Sequence, residues 1–521
     1  MSDSRPLSKT ALIVFHGIGE QKQYETLNTV ANSLDASAST HANVYPGLGA
    51  GDTRLISYAT LGDGDDAVDL FEAYWSPWTK GKVSLSQVTR FLFEAGSSGL
   101  WTYFRNGKKF DRYLFGRTTK FSIPLTTPLT LGTIFGFLMA SLAVAAGYVW
   151  VGTGYSLMLA GLRIFDQCLL RDLRTWIYLS TIVAFAIIAG FLILSKVPTT
   201  KSGSNVKGVL LYVFVFCFMV LQIVTAVSLA LCVKSHWQGH EDRPSPVCSP
   251  THCEEPIDLR LEGILEATNL KTYVYPIGHD FSFGWGAVTS LSLVLTVCYL
   301  IIPKLLTTFL GDLVAYLVAS HASEFYSLRE EIRRRCYKLC RDVMSRNTGN
   351  GYQYENIIFV GHSLGSVIAY DTLNRILAED SEKSGFDPER TRIRAFLTLG
   401  SPLNKAAFLF GESQDRVEVR TSLMACLQPM ISSSLLRASV PWINVWSWFD
   451  PVSAALTYYD PEPDFPAGVI NILDDEASVP VIAHITYWQH ARFKKILKTL
   501  CRPGITAAQI RDEAALIASS K

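Results

Sequence analysis

Charge is what this sequence has least of. Of its 521 residues only 18% are Asp, Glu, Lys or Arg, against about a quarter in an ordinary soluble domain. Net charge is nearly absent too. Forty-seven Lys and Arg against 46 Asp and Glu leave +1, which removes any global electrostatic case for a nucleic-acid partner. Ten cysteines are too few for a disulfide scaffold in a chain of this length, and 49% hydrophobic residues are too many for a disordered one. No cleaved signal peptide is expected, because residues 1–9 lead directly into a short strand-like run. The length allows about three domains, or one large domain carrying an insertion.

The missing charge is missing from particular places. Residues 121–162, 175–195, 209–233 and 281–303 contain no Asp, Glu, Lys or Arg. Each stretch reaches the roughly 20 apolar residues that a helix needs to cross a bilayer. None shows the polar stripe of a helix packed on a soluble core. The first stretch holds one span, near 129–151, or a tight hairpin; one span gives four in all and returns the chain to its starting side. Lys and Arg agree with that count. Nine basic residues lie between Lys80 and Lys120, a second basic cluster runs from Arg329 to Arg341, and Lys196, Lys201 and Lys207 mark the loop between the second and third spans. Residues 234–284 instead carry eight acidic side chains and four basic ones. A multi-pass membrane protein with both termini on the cytoplasmic side follows, with the acidic loop on the far face. Cys248 and Cys253 in that loop are placed for a disulfide on an oxidising face. His252 lies between them, but no second ligand pair follows at finger-like spacing, so neither a metal nor a cofactor is expected.

Outside this block the chain alternates strand-like and helical patterns. Strand candidates are 10–15, 54–58, 70–75, 356–360, 394–399 and 443–448; 324–346 and the segment after 365 read as helices. Such alternation predicts an α/β fold with a mostly parallel, doubly wound sheet. The expected organisation is residues 1–120 and 311–521 as two parts of one domain, interrupted by an all-α transmembrane insertion of about four helices over 121–310.

Gly361-His362-Ser363-Leu364-Gly365 fits the Gly-x-Ser-x-Gly turn that presents a nucleophilic serine between a strand and a helix. The two glycines are needed because a side chain at either position would meet neighbouring backbone. The N–H after the serine is an oxyanion donor, and a second is expected from a His-Gly loop closing an earlier strand. His16-Gly17-Ile18-Gly19 fits that description. The N–H groups of Ile18 and Leu364 are therefore the expected oxyanion hole, with Gly17 and Gly19 letting the backbone turn. Chain order then requires an acid and a histidine after the serine. Only His484 and His490 lie beyond Ser363. His490 falls in an amphipathic helical pattern, and His484 follows the apolar run 479–483 as a strand-end loop, so His484 is the expected base. Asp450, closing the strand 443–448, is the expected acid; Asp474 and Asp475 are the alternatives, and Asp371 is read as a structural partner on the helix after the turn.

Several segments resemble a known family. Val-Phe-His-Gly-Ile-Gly-Glu (14–20), Val-Gly-His-Ser-Leu-Gly-Ser-Val-Ile-Ala-Tyr-Asp (360–371), Leu-Gly-Ser-Pro-Leu (399–403), Phe-Asp-Pro-Val (449–452) and His-x-x-Tyr-Trp (484–488) resemble the α/β-hydrolase fold lipases and esterases, most closely the catalytic core of DDHD-type intracellular phospholipases A1. The likeness covers about 10–80 and 324–500; the membrane insertion is a departure from that family. It implies a serine esterase acting on lipid esters through Ser363, Asp450 and His484. The expected partners are a lipid or other acyl-ester substrate and the bilayer. Acyl transfer to an alcohol by the same triad, and a non-catalytic transporter or scaffold with a hydrolase-like domain, are the alternatives. The second of these is disfavoured by the absence of charge within the four stretches.

Overall fold

The structure, a computed structural model of the chain, describes residues 9–18, 21–34, 40–46, 55–62, 67–79, 324–347, 351–382, 391–406, 440–456, 468–479 and 482–519, with isolated positions between 82 and 316. The chain divides into two compact units: Met1–Gly132 with Thr200–Gly208 and Leu305–Lys521, and Thr133–Thr199 with Val209–Lys304.

The first unit is built on an eight-stranded sheet. Its strands are β1 (Lys9–Phe15), β2 (Thr40–Pro46), β3 (Leu55–Leu61), β4 (Val68–Glu72), β5 (Tyr354–His362), β6 (Ile393–Leu399), β7 (Trp442–Trp446) and β8 (Ile470–Leu473). They lie in the order β2-β3-β4-β1-β5-β6-β7-β8. The fold is α/β, with a mixed, mostly parallel sheet. The antiparallel part lies at one edge, where β3 runs antiparallel to both β2 and β4. Only residues 47–54 and 62–67 join these strands, and a parallel return needs a crossover of a dozen residues or more. The two strands not foreseen, β2 and β8, are both edge strands. β8 has four residues, and β2 ends in Pro46, so neither carries the apolar run of a strand buried on both faces.

The central strands do carry that run. Along β1, Ala11, Ile13 and Phe15 join a core on one face of the sheet, and Leu12 and Val14 join the core on the other. Side chains alternate between faces along a strand, so burial on both sides demands an uninterrupted apolar sequence. Helix α3 (Glu324–Met344) and helix α4 (Leu364–Glu382) cover the first face. In α3, Ile332, Cys336, Cys340 and Val343 recur at spacings of four, four and three and point inward. On its outer side Glu331 takes ion pairs from Arg334 and Arg335, at i+3 and i+4. Helix α1 (Glu25–Leu34), helix α6 (Ala491–Leu500) and helix α7 (Ala507–Ser519) cover the second face. Two short helical turns, α2 (Ser76–Thr79) and α5 (Ala483–Thr486), also follow strands of this sheet.

The four stretches expected to span a bilayer, the loop at 234–284 with Cys248 and Cys253, and Gly19 lie outside the described residues, apart from helical positions between 183 and 230. Among the described residues no helix is long and apolar enough to cross a membrane. The described helical positions of 210–230 are nevertheless inverted relative to a soluble helix. Leu210, Val213, Phe216, Val220, Ile223, Val224 and Val227 are 40–54% exposed, whereas Gln222 and Thr225 are buried. Within the same unit Gly190 lies against Phe214, where a Cβ would come 2.7 Å from the ring.

The core makes a direct expectation. Phe359 is fully buried at the centre of the sheet and stacks on Phe15, centroids 6.2 Å apart. Phe359→Ala should cost about 3–5 kcal/mol, read as a lowered midpoint of denaturant unfolding of the sheet unit in the full-length protein.

Candidate active site

β1 and β5 are parallel neighbours in the register Phe15↔Gly361. The residues following the two strands therefore emerge side by side at the carboxyl edge of the sheet. After β5 the chain turns at Ser363 into α4 with φ +54° at the serine, a left-handed conformation that a non-glycine residue rarely adopts and that marks strain at functional turns. The turn is held by the Ser363 N–H donating to the Leu399 carbonyl (3.0 Å) and by the Ser363 carbonyl accepting from the N–H and hydroxyl of Ser366 (2.9 and 2.6 Å). Both flanking glycines are required by close approach. A Cβ on Gly361 would lie 2.5 Å from Ser366 Cα, and one on Gly365 would lie 2.2 Å from the His16 carbonyl oxygen. The start of α4 thus sits directly against the end of β1, and a side chain there would separate them.

Ser363, His484 and Asp450 converge. His484 Nε2 lies 2.8 Å from Ser363 Oγ, and His484 Nδ1 lies 2.9 Å from Asp450 Oδ2. An ionised carboxylate can only accept, so Nδ1 carries the proton and Nε2 presents its lone pair to the serine hydroxyl. The Asp450 side chain is fully buried. Burial pushes its carboxyl up, but the neighbouring His484, the hydrogen bond from that ring, the Val452 N–H and the Tyr487 hydroxyl outweigh it and hold the group below its ordinary value. The acid stays ionised at neutral pH and can stabilise an imidazolium. His484 occupies the helical turn α5 rather than a strand-end loop. The apolar run 479–483 that suggested a strand leads into that turn, and the preceding strand is β8, further upstream. Asp474 takes a different partner, His490 Nδ1 at 2.7 Å. His490 is not inside the following helix but immediately precedes it, with extended ψ. Asp475 pairs with Arg492, and Asp371 accepts from the Tyr316 hydroxyl and Arg329.

The His16-Gly17-Ile18 segment closes the other side. A Cβ on Gly17 would lie 2.9 Å from His362 Nδ1 and 3.0 Å from Ser363 Cβ, so glycine serves close contact here; its φ is not in the left-handed region. His16 is fully buried and stacks on Trp75 at 4.7 Å and 9°. Trp75 N–H donates to His16 Nε2, so the proton sits on Nδ1 and is donated to the Gly17 carbonyl at 2.9 Å. That bond sets the plane of the Gly17–Ile18 peptide, whose N–H points the opposite way. Leu364 opens α4, so its N–H belongs to the first turn and has no acceptor within the helix. These are the two donors expected to face an oxyanion.

Several supporting residues were not singled out by sequence reasoning. Gly400 has φ +55°, and a Cβ there would meet the Tyr487 ring at 2.9 Å, His484 Nδ1 at 3.2 Å and Asp450 Oδ2 at 3.3 Å. The Leu-Gly-Ser-Pro segment was its only signal. Lys405, on the helical turn at 403–406, is buried and donates to the carbonyls of Val452 and Ser453 at 2.9 and 3.0 Å. Asn404 donates to the Ala455 carbonyl. Together they clamp the loop that carries Asp450. Burial lowers the Lys405 ammonium to about 8, with Asp450 acting the other way. Burial pushes the Cys336 and Cys501 thiols up to about 12, which makes these two poor nucleophiles. Among the described residues no group of three or more His, Cys, Asp or Glu side chains is arranged around a common point for a metal.

Two expectations follow from these contacts. Gly400→Ala should lower turnover of any reaction run by this site at least tenfold, because the methyl group enters the His484–Asp450 pair; steady-state kinetics on a retained, folded protein checks it. The second concerns pH. Burial lowers His16 to about 4 and His362 to about 3, against about 6.5 in the unfolded chain. Between pH 6.5 and about 4 the unfolded state therefore binds more protons, so stability rises with pH and is lost on acidification, by up to about 1.4 kcal/mol per pH unit for each histidine. His16→Asn should flatten that slope by about one proton's worth in a series of unfolding curves from pH 7 to 4. No family model, curated protein or solved structure matches the chain.

Proposed function

We propose that the chain is a membrane-integrated serine hydrolase of the α/β-hydrolase type that cleaves acyl esters of lipids. The observation that carries the reading is the convergence of Ser363, His484 and Asp450 around a serine held at φ +54°. In the proposed reaction Ser363 Oγ attacks the ester carbonyl while His484 Nε2 takes its proton. Asp450 stabilises the imidazolium, and the N–H groups of Ile18 and Leu364 donate hydrogen bonds to the oxyanion that develops on the carbonyl oxygen. His484 then returns the proton to the leaving alcohol, and water hydrolyses the acyl-enzyme by the same relay.

Lipid as substrate is supported by the four charge-free stretches and by the inverted burial over 210–230, with apolar side chains outward and Gln222 and Thr225 inward. That pattern suits a hydrocarbon solvent, in which polar side chains turn toward neighbouring helices. The basic flanks and the acidic loop support four spans with the hydrolase unit on the cytoplasmic side. Motif resemblance to intracellular phospholipases A1 points to glycerophospholipid esters as the first class to assay.

The test is a fluorophosphonate probe applied to the membrane-embedded protein, together with release of fatty acid from phospholipid and neutral-lipid vesicles. Wild type should be labelled, and Ser363→Ala should abolish labelling and lower hydrolysis by about 10³-fold or more. Asp450→Asn should keep the fold and lower kcat by about 10³- to 10⁴-fold, because Nδ1 then loses an obligate acceptor. Equal labelling of wild type and Ser363→Ala overturns the reading.

A further inference from the structure

His362, the variable residue inside the Gly-x-Ser-x-Gly turn, is buried, and its imidazole reaches out of the turn. Its Nε2 lies 2.8 Å from the backbone carbonyl oxygen of His484. A carbonyl only accepts, so Nε2 carries the proton and Nδ1 is left with a lone pair. Nδ1 faces the Gly17 backbone, close enough that a Cβ at Gly17 would sit 2.9 Å away. The ring also lies 5.2 Å from the His484 ring and 5.3 Å from Trp488, the latter edge-on. One side chain thus touches three chain segments that are far apart in sequence: the serine turn to which it belongs, the segment carrying the expected oxyanion donor, and the residue that carries the base.

Resting on the hydrolase reading, we propose that His362 is a positioning residue that sets the place of the catalytic imidazole by holding the His484 backbone to the nucleophile turn. His484 sits on a single helical turn of four residues, α5, whose first position has no side-chain cap. Such a turn has little hydrogen bonding of its own to hold it. The His484 side chain is gripped at Nδ1 by Asp450, which fixes the direction of the ring. Its neighbours are tied in by the Ala483 N–H donating to the Val479 carbonyl and the Tyr487 hydroxyl donating to Asp450. The bond from His362 adds a direct tie between the His484 carbonyl and the nucleophile turn, because its donor is one residue from Ser363 in the chain. A displacement of about 1 Å between nucleophile and base is enough to cost about 10²-fold in rate. His362 does this work as a neutral group. Burial holds its pKa near 3, and the adjacent His484 acts in the same direction, so no second positive charge opposes the imidazolium that forms during reaction.

The role is distinguishable from simple packing. Glutamine places an amide N–H where Nε2–H stands and keeps the bond; leucine fills similar volume and has no donor. His362→Leu should lower kcat about 10²-fold with KM within a factor of three, and His362→Gln should recover turnover to within about tenfold of wild type. A second readout does not depend on hydrolysis: carbethoxylation of His484 by diethyl pyrocarbonate, followed by mass spectrometry of its peptide in the membrane-embedded protein. His484 should react several-fold faster in His362→Leu and near the wild-type rate in His362→Gln. Equal loss of kcat in both variants, or equal carbethoxylation rates in all three proteins, overturns the proposal. A wild type without Ser363-dependent turnover overturns the hydrolase reading instead, and the carbethoxylation rates then decide alone whether His362 holds His484. If His362→Leu does not fold, comparing His362→Gln with His362→Met, which also lacks a donor, carries the same two readouts.

Discussion

The pairing of β1 with β5 is the contact on which the rest depends. These strands are more than 300 residues apart in the chain, yet they run parallel at the centre of the sheet, in unbroken register from Thr10↔Asn356 to Phe15↔Gly361. Their register decides which residues meet at the carboxyl edge. Gly361 opposite Phe15 brings Gly17 against Ser363 and Gly365 against the His16 carbonyl. Shifting a strand by one residue would turn every buried side chain to the wrong face, and it would also part the serine from the segment expected to carry the oxyanion donor. The apolar packing that fixes the register is therefore the same interaction that assembles the site. The long interruption between the two strands adds loop-closure entropy that grows only slowly with length, so a large insertion between them is tolerable once the central strands are buried on both faces.

Around that junction the site is largely buried, with Ser363 and Asp450 almost fully covered. Asp450 is the buried carboxylate that meets His484, and three donors hold it ionised: His484, Tyr487 and the Val452 N–H. Two further imidazoles, His16 and His362, are enclosed, and burial keeps both neutral. Each has one nitrogen whose role is set by an unambiguous partner, the Trp75 N–H in one case and the His484 carbonyl in the other. Three histidines thus lie in one small region: His16 bonds the Gly17 carbonyl, His362 bonds the His484 carbonyl, and His484 is the one that moves a proton in the proposed reaction. In low dielectric a second charge would cost heavily, so neutrality in the two supporting rings is what allows the third to become charged in the proposed reaction.

The acid is supported from a different direction. Lys405 and Asn404 reach from the turn after β6 to the carbonyls beyond Asp450. Gly400, at the tip of the same strand, clears the space into which Asp450 and His484 pack. The strand ends of β1, β5, β6 and β7 each contribute to one centre. This concentration at the carboxyl edge is the general consequence of parallel strands, whose loops at that end are brought together by the sheet.

Much of this arrangement is legible in one dimension. Strands buried on both faces leave uninterrupted apolar runs, so β1, β5 and β6 are readable, and the glycines around Ser363 mark a turn too tight for side chains. Chain order narrows the base to His484 or His490, the two histidines after the serine, and position at a strand end favours Asp450 among several acids. Charge-free stretches likewise stand out as composition alone. Edge strands β2 and β8 leave no such mark: β2 ends in Pro46, and β8 has four residues of which only Ile472 is buried. The pairing of Asp474 with His490 and the roles of His16, His362, Gly400 and Lys405 depend on contacts between residues distant in sequence, and no local pattern encodes such contacts. By itself the sequence determined which residue types were available for chemistry and which segments had to be buried. Tertiary packing alone decided which histidine faces the serine, which acid faces that histidine, and which imidazoles stay neutral, because each of these is set by distance and burial.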